Sequence, residues 1–316
     1  MLTQNHDSKD PHHIAILLCT MQGVTYLSEQ LDSIIDQEHK SWRIWASDDG
    51  SSDGTLSVLD GYQEKLGQEK ISIKNGPSAG FVANFLSLTC LDDIKADYYA
   101  YADQDDIWEA NKLTRALECL QNTPKGVPAL YCSRTRYVDA NNNEIGLSRV
   151  YKRQPIFANA LVQSIGGGNT MVFNDAARQL LQAAGRHVDV ISHDWWVYMV
   201  VSGSGGKVIF DPVASVRYRQ HDDNLVGGNT SLIAGFERMK MVAGGRLKSW
   251  NDTNLTALHS IRSLLTQENQ TLFDEFSRSR SRGLYSRLRG VIKSGVYRQT
   301  FFGNLGLIAA SIFKKL

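Results

Sequence analysis

Three carboxylates within four residues, Asp103-Gln104-Asp105-Asp106, close a short apolar run, and an acidic pair, Asp48-Asp49, opens the segment Gly50-Ser51-Ser52-Asp53-Gly54-Thr55. Carboxylates this close repel one another unless a cation or a proton offsets their charge. Hard oxygen donors suit Mg²⁺ or Mn²⁺, and a diphosphate brings the remaining oxygens, so the run fits a divalent metal bridging protein and nucleotide. A solvated acidic turn is the plainer alternative, with Asp106, ahead of Ile107-Trp108, placed to cap the next helix. The pair at Asp48-Asp49 heads a loop that can offer backbone N–H groups and a carboxylate to a bound base, where the carboxylate would accept the imino N–H of uracil or thymine. A turn held by Asx hydrogen bonds explains the same residues without a ligand.

These groups have to be held by elements that the apolar pattern makes legible. His13 to Cys19 reads as a buried parallel strand, and Leu27, Leu31, Ile34 and Ile35 follow at helical spacing. Arg43 to Ser47 is a second strand, Leu56 to Leu66 a helix with a partial apolar stripe, and Ile71 to Lys74 a third strand. Gly76 to Gly80 breaks the chain, Phe81 to Leu91 is helical, and Tyr98 to Ala102 is a fourth strand that ends on the acidic run. Alternation of this kind predicts an α/β sheet with right-handed crossovers, in which ligands gather beyond the carboxyl ends of the strands. Both acidic clusters fall at such ends.

Further on, a helix is expected from about Asn111 to Gln121, and a strand at Ala129 to Val138 leads through Asn141-Asn142-Asn143 to a return strand, making the sheet mixed. Gly166-Gly167-Gly168 precedes a short strand at Asn169 to Phe173, and Asn174 is placed to cap the following helix. From about Ser231 the pattern turns helical. Phe276 to Leu316 carries nine Lys or Arg residues and no acid. The apolar stretch Phe301 to Phe313 contains Gly303, Asn304 and Gly306 and falls short of the roughly 20 residues that a bilayer-spanning helix needs. The tail is therefore expected either to lie on an anionic membrane surface or to cap the sheet with its basic face solvated.

The chain has 316 residues, 42% of them hydrophobic, and a formal charge of +1, which gives no overall attraction to nucleic acid. Cys19, Cys90, Cys119 and Cys132 are far apart and form no CxxC pair, so reduced thiols are expected rather than a zinc knuckle or disulfide framework. The first dozen residues are polar and lack a signal-peptide core, which predicts a cytoplasmic protein, peripheral on the inner face of the membrane if the tail docks there. The expected division is a disordered tail at 1–12, a catalytic domain at 13–228 and a basic helical extension at 229–316.

Asp48-Asp49-Gly50-Ser51-Ser52-Asp53-Gly54 after the second strand and Ala102-Asp103-Gln104-Asp105-Asp106-Ile107-Trp108 after the fourth resemble family 2 glycosyltransferases of the GT-A fold, and in particular bacterial rhamnosyltransferases of polysaccharide assembly. The resemblance covers about Ile14 to Gly227. It departs at Leu18-Cys19-Thr20-Met21, where the family commonly has Pro-Thr-Tyr-Asn. The resemblance implies a Rossmann-like mixed sheet flanked by helices, with a C-terminal helical extension. It implies nucleotide contacts from Thr20, Asp48, Asp49 and Asp103, with Asp49 on the pyrimidine and Asp103 on the ribose, and a metal on Asp105. His221, in Arg217-Tyr218-Arg219-Gln220-His221, is implied as a further metal or diphosphate contact. Asp194, in Ser192-His193-Asp194-Trp195-Trp196, stands where the family keeps the carboxylate that deprotonates the acceptor. Gly167 and Asn169 resemble the glycine-containing segment beside the acceptor. Trp108, Trp195 and Trp196 are expected to stack on sugar rings, although a helix would turn one of the adjacent pair into the core.

The implied reaction is inverting transfer of a sugar, rhamnose from dTDP-rhamnose, to a lipid-linked saccharide in polysaccharide or O-antigen synthesis. One base suffices for in-line attack, and the metal stabilises the departing diphosphate so that no protein acid is required. Two alternatives remain open. A sugar nucleotidyltransferase shares the architecture and the need for metal, but its glycine-rich N-terminal phosphate loop with Arg and a downstream Lys is absent. A binding module without catalysis would bind nucleotide or carbohydrate and turn nothing over.

Overall fold

The computed structural model describes residues 12–220 and 246–316. The expected tail at 1–12, apart from its last residue, the 228/229 boundary and His221 lie outside the described residues.

The N-terminal half winds as the apolar pattern predicts. Strands β1 (Ile14–Thr20), β2 (Trp42–Asp48), β3 (Ile71–Asn75) and β4 (Tyr98–Ala102) are mutually parallel, with helices α1 (Leu27–Ile35), α2 (Thr55–Leu66) and α3 (Phe81–Cys90) as crossovers. β1 is buried along its whole length because both faces are covered. Ile14, Ile16 and Leu18 pack with Leu27, Leu31 and Ile34 of α1, while Ala15, Leu17 and Cys19 point to Phe85 of α3 on the other side. Strict alternation along one strand thus feeds two cores. The register sets Thr20 beside Asp48 and Leu18 beside Ala102, so the loops carrying both acidic clusters leave the same edge of the sheet.

The acidic run leads into β5 (Ile107–Trp108), then α4 (Lys112–Leu120), β6 (Ala129–Val138), β7 (Glu144–Leu147), the short α5 (Phe157–Ala160), β8 (Val172–Asn174), α6 (Asp175–Ala184), α7 (His193–Gly203) and β9 (Lys207–Arg219). Among the described residues the sheet order is β3-β2-β1-β4-β8-β6-β9-β5, with β7 on β6. β8 runs antiparallel to β4 and β6, which makes the sheet mixed. Asn174 caps α6 by accepting a hydrogen bond from the Ala177 N–H at 3.0 Å. The strand expected at Asn169 to Phe173 starts later: Gly168–Thr170 is a 3₁₀ turn and only Val172–Asn174 pairs. The long β9 includes Arg217, Tyr218 and Arg219 at its end, and Arg217 pairs with Ile107, so β9 fastens the exit of the acidic run.

The C-terminal helices α8 (Arg246–Ser260), α9 (Gln267–Arg280), α10 (Leu284–Ser294) and α11 (Phe301–Ile312) share a core with the sheet: Leu258, Phe273 and Phe276 pack in the cluster that holds α7. Asn269 donates to the carbonyl of Gly203 at 2.9 Å, and Asn159 to that of Tyr297 at 2.8 Å, so the C-terminal helices are tied to α7 and α5 at two places. No helix of the described residues is long and apolar enough to cross a membrane.

Candidate active site

The loops after β1 and β2 are built by the side chains expected to meet a nucleotide. Thr20 donates its hydroxyl to Asp48 at 2.8 Å, and Asp48 also accepts from the backbone N–H groups of Gly50 and Ser51 and from the Ser51 hydroxyl. Asp48 is therefore the Asx anchor of its turn, with both oxygens engaged. Asp49 turns the other way and accepts the N–H of Ser78 at 2.7 Å and of Gly80 at 2.8 Å, fixing the glycine-containing loop after β3 against the β2 end. Gln22 completes the knit: its amide oxygen accepts from Ser52 and Asp53, and its own N–H reaches the Ser51 hydroxyl.

The acidic run divides its labour. Asp103 and Asp105 are half-buried, whereas Asp106 is fully buried. Gln104 makes a two-way bridge to Met21, accepting its N–H at 2.8 Å and donating to its carbonyl at 2.9 Å, so the run is stitched to the loop after β1. Asp106 accepts from Asn169 at 2.5 Å and from the Arg219 N–H at 3.4 Å. It ties the 3₁₀ turn to the end of β9 and caps no helix, since β5 follows it and Asn111 is the N-cap of α4.

Electrostatics bring the separate motifs together. The Asp103 carboxyl is pushed up to about 7, first by burial, then by the charge of Asp105 and next by that of Asp194, with Lys112 opposing. Asp194 is itself raised by burial, against hydrogen bonds from Ser192 and from the Trp195 N–H at 2.7 Å. Asp106 is held far above the ordinary carboxylate range by burial and by its neighbours Asp105 and Asp103. Asp194 opens α7 beside His193, whose ring stacks on Phe85 at 3.9 Å and meets Tyr101 edge-on at 4.9 Å. Burial lowers His193 to about 3, so this imidazole is neutral. A β-carbon on Gly168 would lie 2.2 Å from the His193 Nε2, so the last glycine of Gly166-Gly167-Gly168 is what allows α7 to start against the 3₁₀ turn.

Among the described residues, no three His, Cys, Asp or Glu side chains converge as a self-sufficient metal cage. The donor set still fits a divalent cation that takes most of its oxygens from a diphosphate. Asp103 and Asp105 are hard carboxylates whose mutual repulsion already raises Asp103, and a cation relieves that repulsion.

Several acceptor assignments are corrected. Trp108 is 3% exposed and lies in the core beneath the Lys112 ammonium, 3.3 Å above its ring centroid. Trp196 is completely buried, and Trp195 donates its indole N–H to the Ala160 carbonyl at 2.6 Å. All three rings pack in the interior and give a sugar no face to stack on. The reason is that α7 is covered on nearly every side, with His193 and Trp195 through Gly203 buried, so neither member of the pair turns outward. Asn169 is buried and directed at Asp106, leaving Gly167 as the exposed residue of that segment.

Three contributors escaped the sequence reading. Arg219 is 1% exposed and donates to the carbonyls of Asp105 and Ala140 and to the Glu29 carboxylate at 2.7 Å, clamping the acidic run from below. Its burial has no local sequence signal. Lys112 is fully buried and its Nζ has no hydrogen-bond partner among the described residues; burial lowers its pKa while Asp106 and Asp103 oppose the change. Its spacing to Leu113, Ala116, Leu117 and Leu120 does place it on the apolar stripe of α4. Gln104, to which the sequence assigns no role, is the stitch described above.

Comparison with known proteins agrees with this geometry. The family described as Glycosyl transferase family 2 matches residues 15–184, over half of the chain. The dTDP-rhamnosyl transferase RfbG of Shigella flexneri is 28% identical over 242 residues, covering 71% of this chain and 78% of that protein. The UDP-Glc:alpha-D-GlcNAc-diphosphoundecaprenol beta-1,3-glucosyltransferase WfgD of Escherichia coli is 26% identical over 167 residues, 52% of this chain and 61% of that one. Among solved structures, S. aureus TarS 1-349 in complex with UDP-GlcNAc superposes with a TM-score of 0.54 at 13% identity, covering 90% of this chain and 93% of that chain. The mannosyltransferase PcManGT from Pyrobaculum calidifontis, in complex with GDP-Man and Mn²⁺, gives a TM-score of 0.51 at 13% identity, covering 96% and 86%. At these identities the structural likeness speaks for the fold. The sheet order, the two acidic loops on one edge and the family match lead to one statement: the chain belongs to glycosyltransferase family 2 and has the GT-A fold.

Proposed function

We propose that this protein is a metal-dependent, inverting glycosyltransferase that moves rhamnose from dTDP-rhamnose to a lipid-linked saccharide at the inner face of the cell membrane, in polysaccharide or O-antigen synthesis. The observation that carries the reading is that Asp103 feels the charges of both Asp105 and Asp194. Geometry supports it: Asp103 follows β4, and Asp194 opens α7 next to His193, whose ring meets Tyr101 of β4 edge-on, so two segments some ninety positions apart in the chain come close. The rhamnose donor is supported by the likeness to RfbG, and a lipid diphosphate acceptor by the likeness to WfgD.

In this reading Asp49 addresses the base and Asp103 the ribose, over loops that Thr20 and Asp48 shape. Asp105 would hold a divalent cation, with His221 as a second contact, and that cation would neutralise charge gathering on the diphosphate. The acceptor enters past Gly167, where the missing side chain leaves room. Its hydroxyl oxygen bonds to the anomeric carbon as the bond to the diphosphate breaks, and its proton passes to the Asp194 carboxylate. Attack opposite the leaving group inverts the anomeric centre. Burial that raises Asp194 makes it a stronger base than an ordinary aspartate.

The test is a panel of nucleotide sugars assayed for release of the nucleoside diphosphate with Mn²⁺ and with EDTA. The reading expects dTDP-rhamnose to be turned over fastest and only with metal. Binding without turnover of any donor would point to a non-catalytic module, and transfer of a nucleotidyl group to a sugar phosphate would point to a nucleotidyltransferase.

A further inference from the structure

Between α9 and α10 lies a pocket of about 250 Å³ lined by Arg278, Arg282, Arg289 and Lys293, together with Tyr285 and one acid, Glu275. α10 packs against α9 and against α11. Its outward stripe, at helical spacing, is Tyr285, Arg289, Ile292 and Lys293; Tyr285 is 75% and Ile292 79% exposed. α11 turns only Leu307, Ala310 and Ser311 inward. Phe301, Phe302, Leu305, Ile308, Ile312 and the following Phe313 are exposed, Phe302 to 81%, and no charged residue occurs from 301 to 313. This orientation is held in place. Arg287 of α10 donates to the Ser311 carbonyl at 2.7 Å and the Ile312 carbonyl at 3.0 Å, and Arg280 donates to that of Leu316, so the C-terminal end of α11 is pinned with its aromatic face outward.

A contiguous apolar face of this kind on a folded protein marks a surface that meets something. Charge selects the occupant. Residues 276–316 hold no acid, and Arg282, Arg289, Lys293 and Lys314 are exposed there, while Arg278 and Arg280 pair with Asp274 and Asp252, so a two-fold contact with a second copy would set like charge against like. An anionic lipid surface is complementary in both respects, because its headgroups are negative and its acyl boundary accepts aromatic and aliphatic side chains. We propose that α10 and α11 form a bilayer-docking surface in which Phe301, Phe302 and their apolar neighbours enter the acyl boundary while the pocket of Arg278, Arg282, Arg289 and Lys293 takes the phosphate of an anionic glycerophospholipid. The inference rests on the reading above for its purpose, bringing the sheet edge to a lipid-linked acceptor, and it is tested without the transfer reaction.

The full chain is sedimented with vesicles of phosphatidylcholine alone and of phosphatidylcholine mixed with phosphatidylglycerol, and its oligomeric state is measured in solution. Binding is expected to the anionic vesicles. Arg289→Ala with Lys293→Ala should weaken it by about 25-fold, or about fivefold for each basic residue at the surface. Phe301→Ser with Phe302→Ser should weaken it by more than about tenfold. Both pairs are exposed, and each variant should keep the parent's metal-dependent nucleotide binding, which separates loss of docking from loss of fold. No binding to anionic vesicles, or binding that neither variant changes, overturns the proposal. Self-association that Phe301→Ser with Phe302→Ser abolishes, without vesicle binding, assigns the face to a second copy. Docking that succeeds while no donor is turned over leaves this inference standing and removes the proposed reaction.

Discussion

Replacing Asp103 by Asn should stabilise the metal-free protein at alkaline pH. Burial and the charges of Asp105 and Asp194 raise its carboxyl from 3.8 to about 7 in the folded protein, while in the unfolded chain it titrates near its ordinary value. Between those two values the folded state binds more protons than the unfolded one, so stability is full below about pH 4, falls as pH rises towards about 7, and is level beyond. A shift of about three units corresponds to about 4 kcal/mol, and the residual solvation of a half-buried group brings the expected penalty to about 2–4 kcal/mol. Asparagine keeps the size and cannot ionise. Urea unfolding in EDTA at several pH values gives the difference between parent and variant. The difference should be near zero at about pH 4 and favour the variant by about 2–4 kcal/mol at about pH 8. Asp106 and Asp194 keep a slope of their own in both proteins, which is why the difference is the quantity to read. Mn²⁺ with a nucleoside diphosphate should shrink the gap by stabilising the parent more. Parallel pH curves, or a parent more stable at alkaline pH, would refute the electrostatic reasoning.

Gly168→Ala places a β-carbon 2.2 Å from the His193 Nε2, so it should cost about 1–3 kcal/mol in thermal or urea unfolding and depress transfer by moving the start of α7. Arg219→Met leaves the carbonyls of Asp105 and Ala140 and the Glu29 carboxylate without their donor; a loss of about 2–4 kcal/mol in urea unfolding is expected, with weaker nucleotide binding by calorimetry. Gln104→Ala removes two bonds to Met21 at the site's rim and should cost only about 1–2 kcal/mol in stability while weakening nucleotide binding in the same titration. Because burial raises Asp194 and the base must be ionised, transfer should fall as pH is lowered, with the acid limb above the ordinary aspartate range of about 4; a pH–rate profile with its limb at or below that value would contradict this.

Much of this was legible because periodicity reports burial. The runs at His13 to Cys19 and Tyr98 to Ala102 and the helical spacing of Leu27, Leu31, Ile34 and Ile35 made the parallel half of the sheet legible, and the strand ends then placed Asp48-Asp49 and Asp103 to Asp106 on one edge. What escaped depended on long-range packing. Trp195 and Trp196 read as one outward and one inward ring, yet α7 is enclosed by α5, α6, β6 and β9 and buries both. Arg219 looks like one more basic residue at a strand end, and its role exists only because β9 returns beneath the acidic run. Asp106 looked like a cap until Asn169, far away in sequence, proved to be its partner. The C-terminal tail offered two readings, a cap on the sheet or a membrane surface. The described helices pack on α7 and leave one apolar face uncovered, so the two are compatible.

In the proposed reaction Asp194 takes the acceptor's proton, in a site whose nucleotide contacts are Asp49 and Asp103 and whose metal contact is Asp105. Its most direct test is Asp194→Asn, with Mn²⁺-dependent nucleotide binding and transfer measured on the same preparation. Binding should stay within about twofold of the parent while transfer falls by about a hundredfold to ten-thousandfold. Transfer at the parent rate would contradict the account.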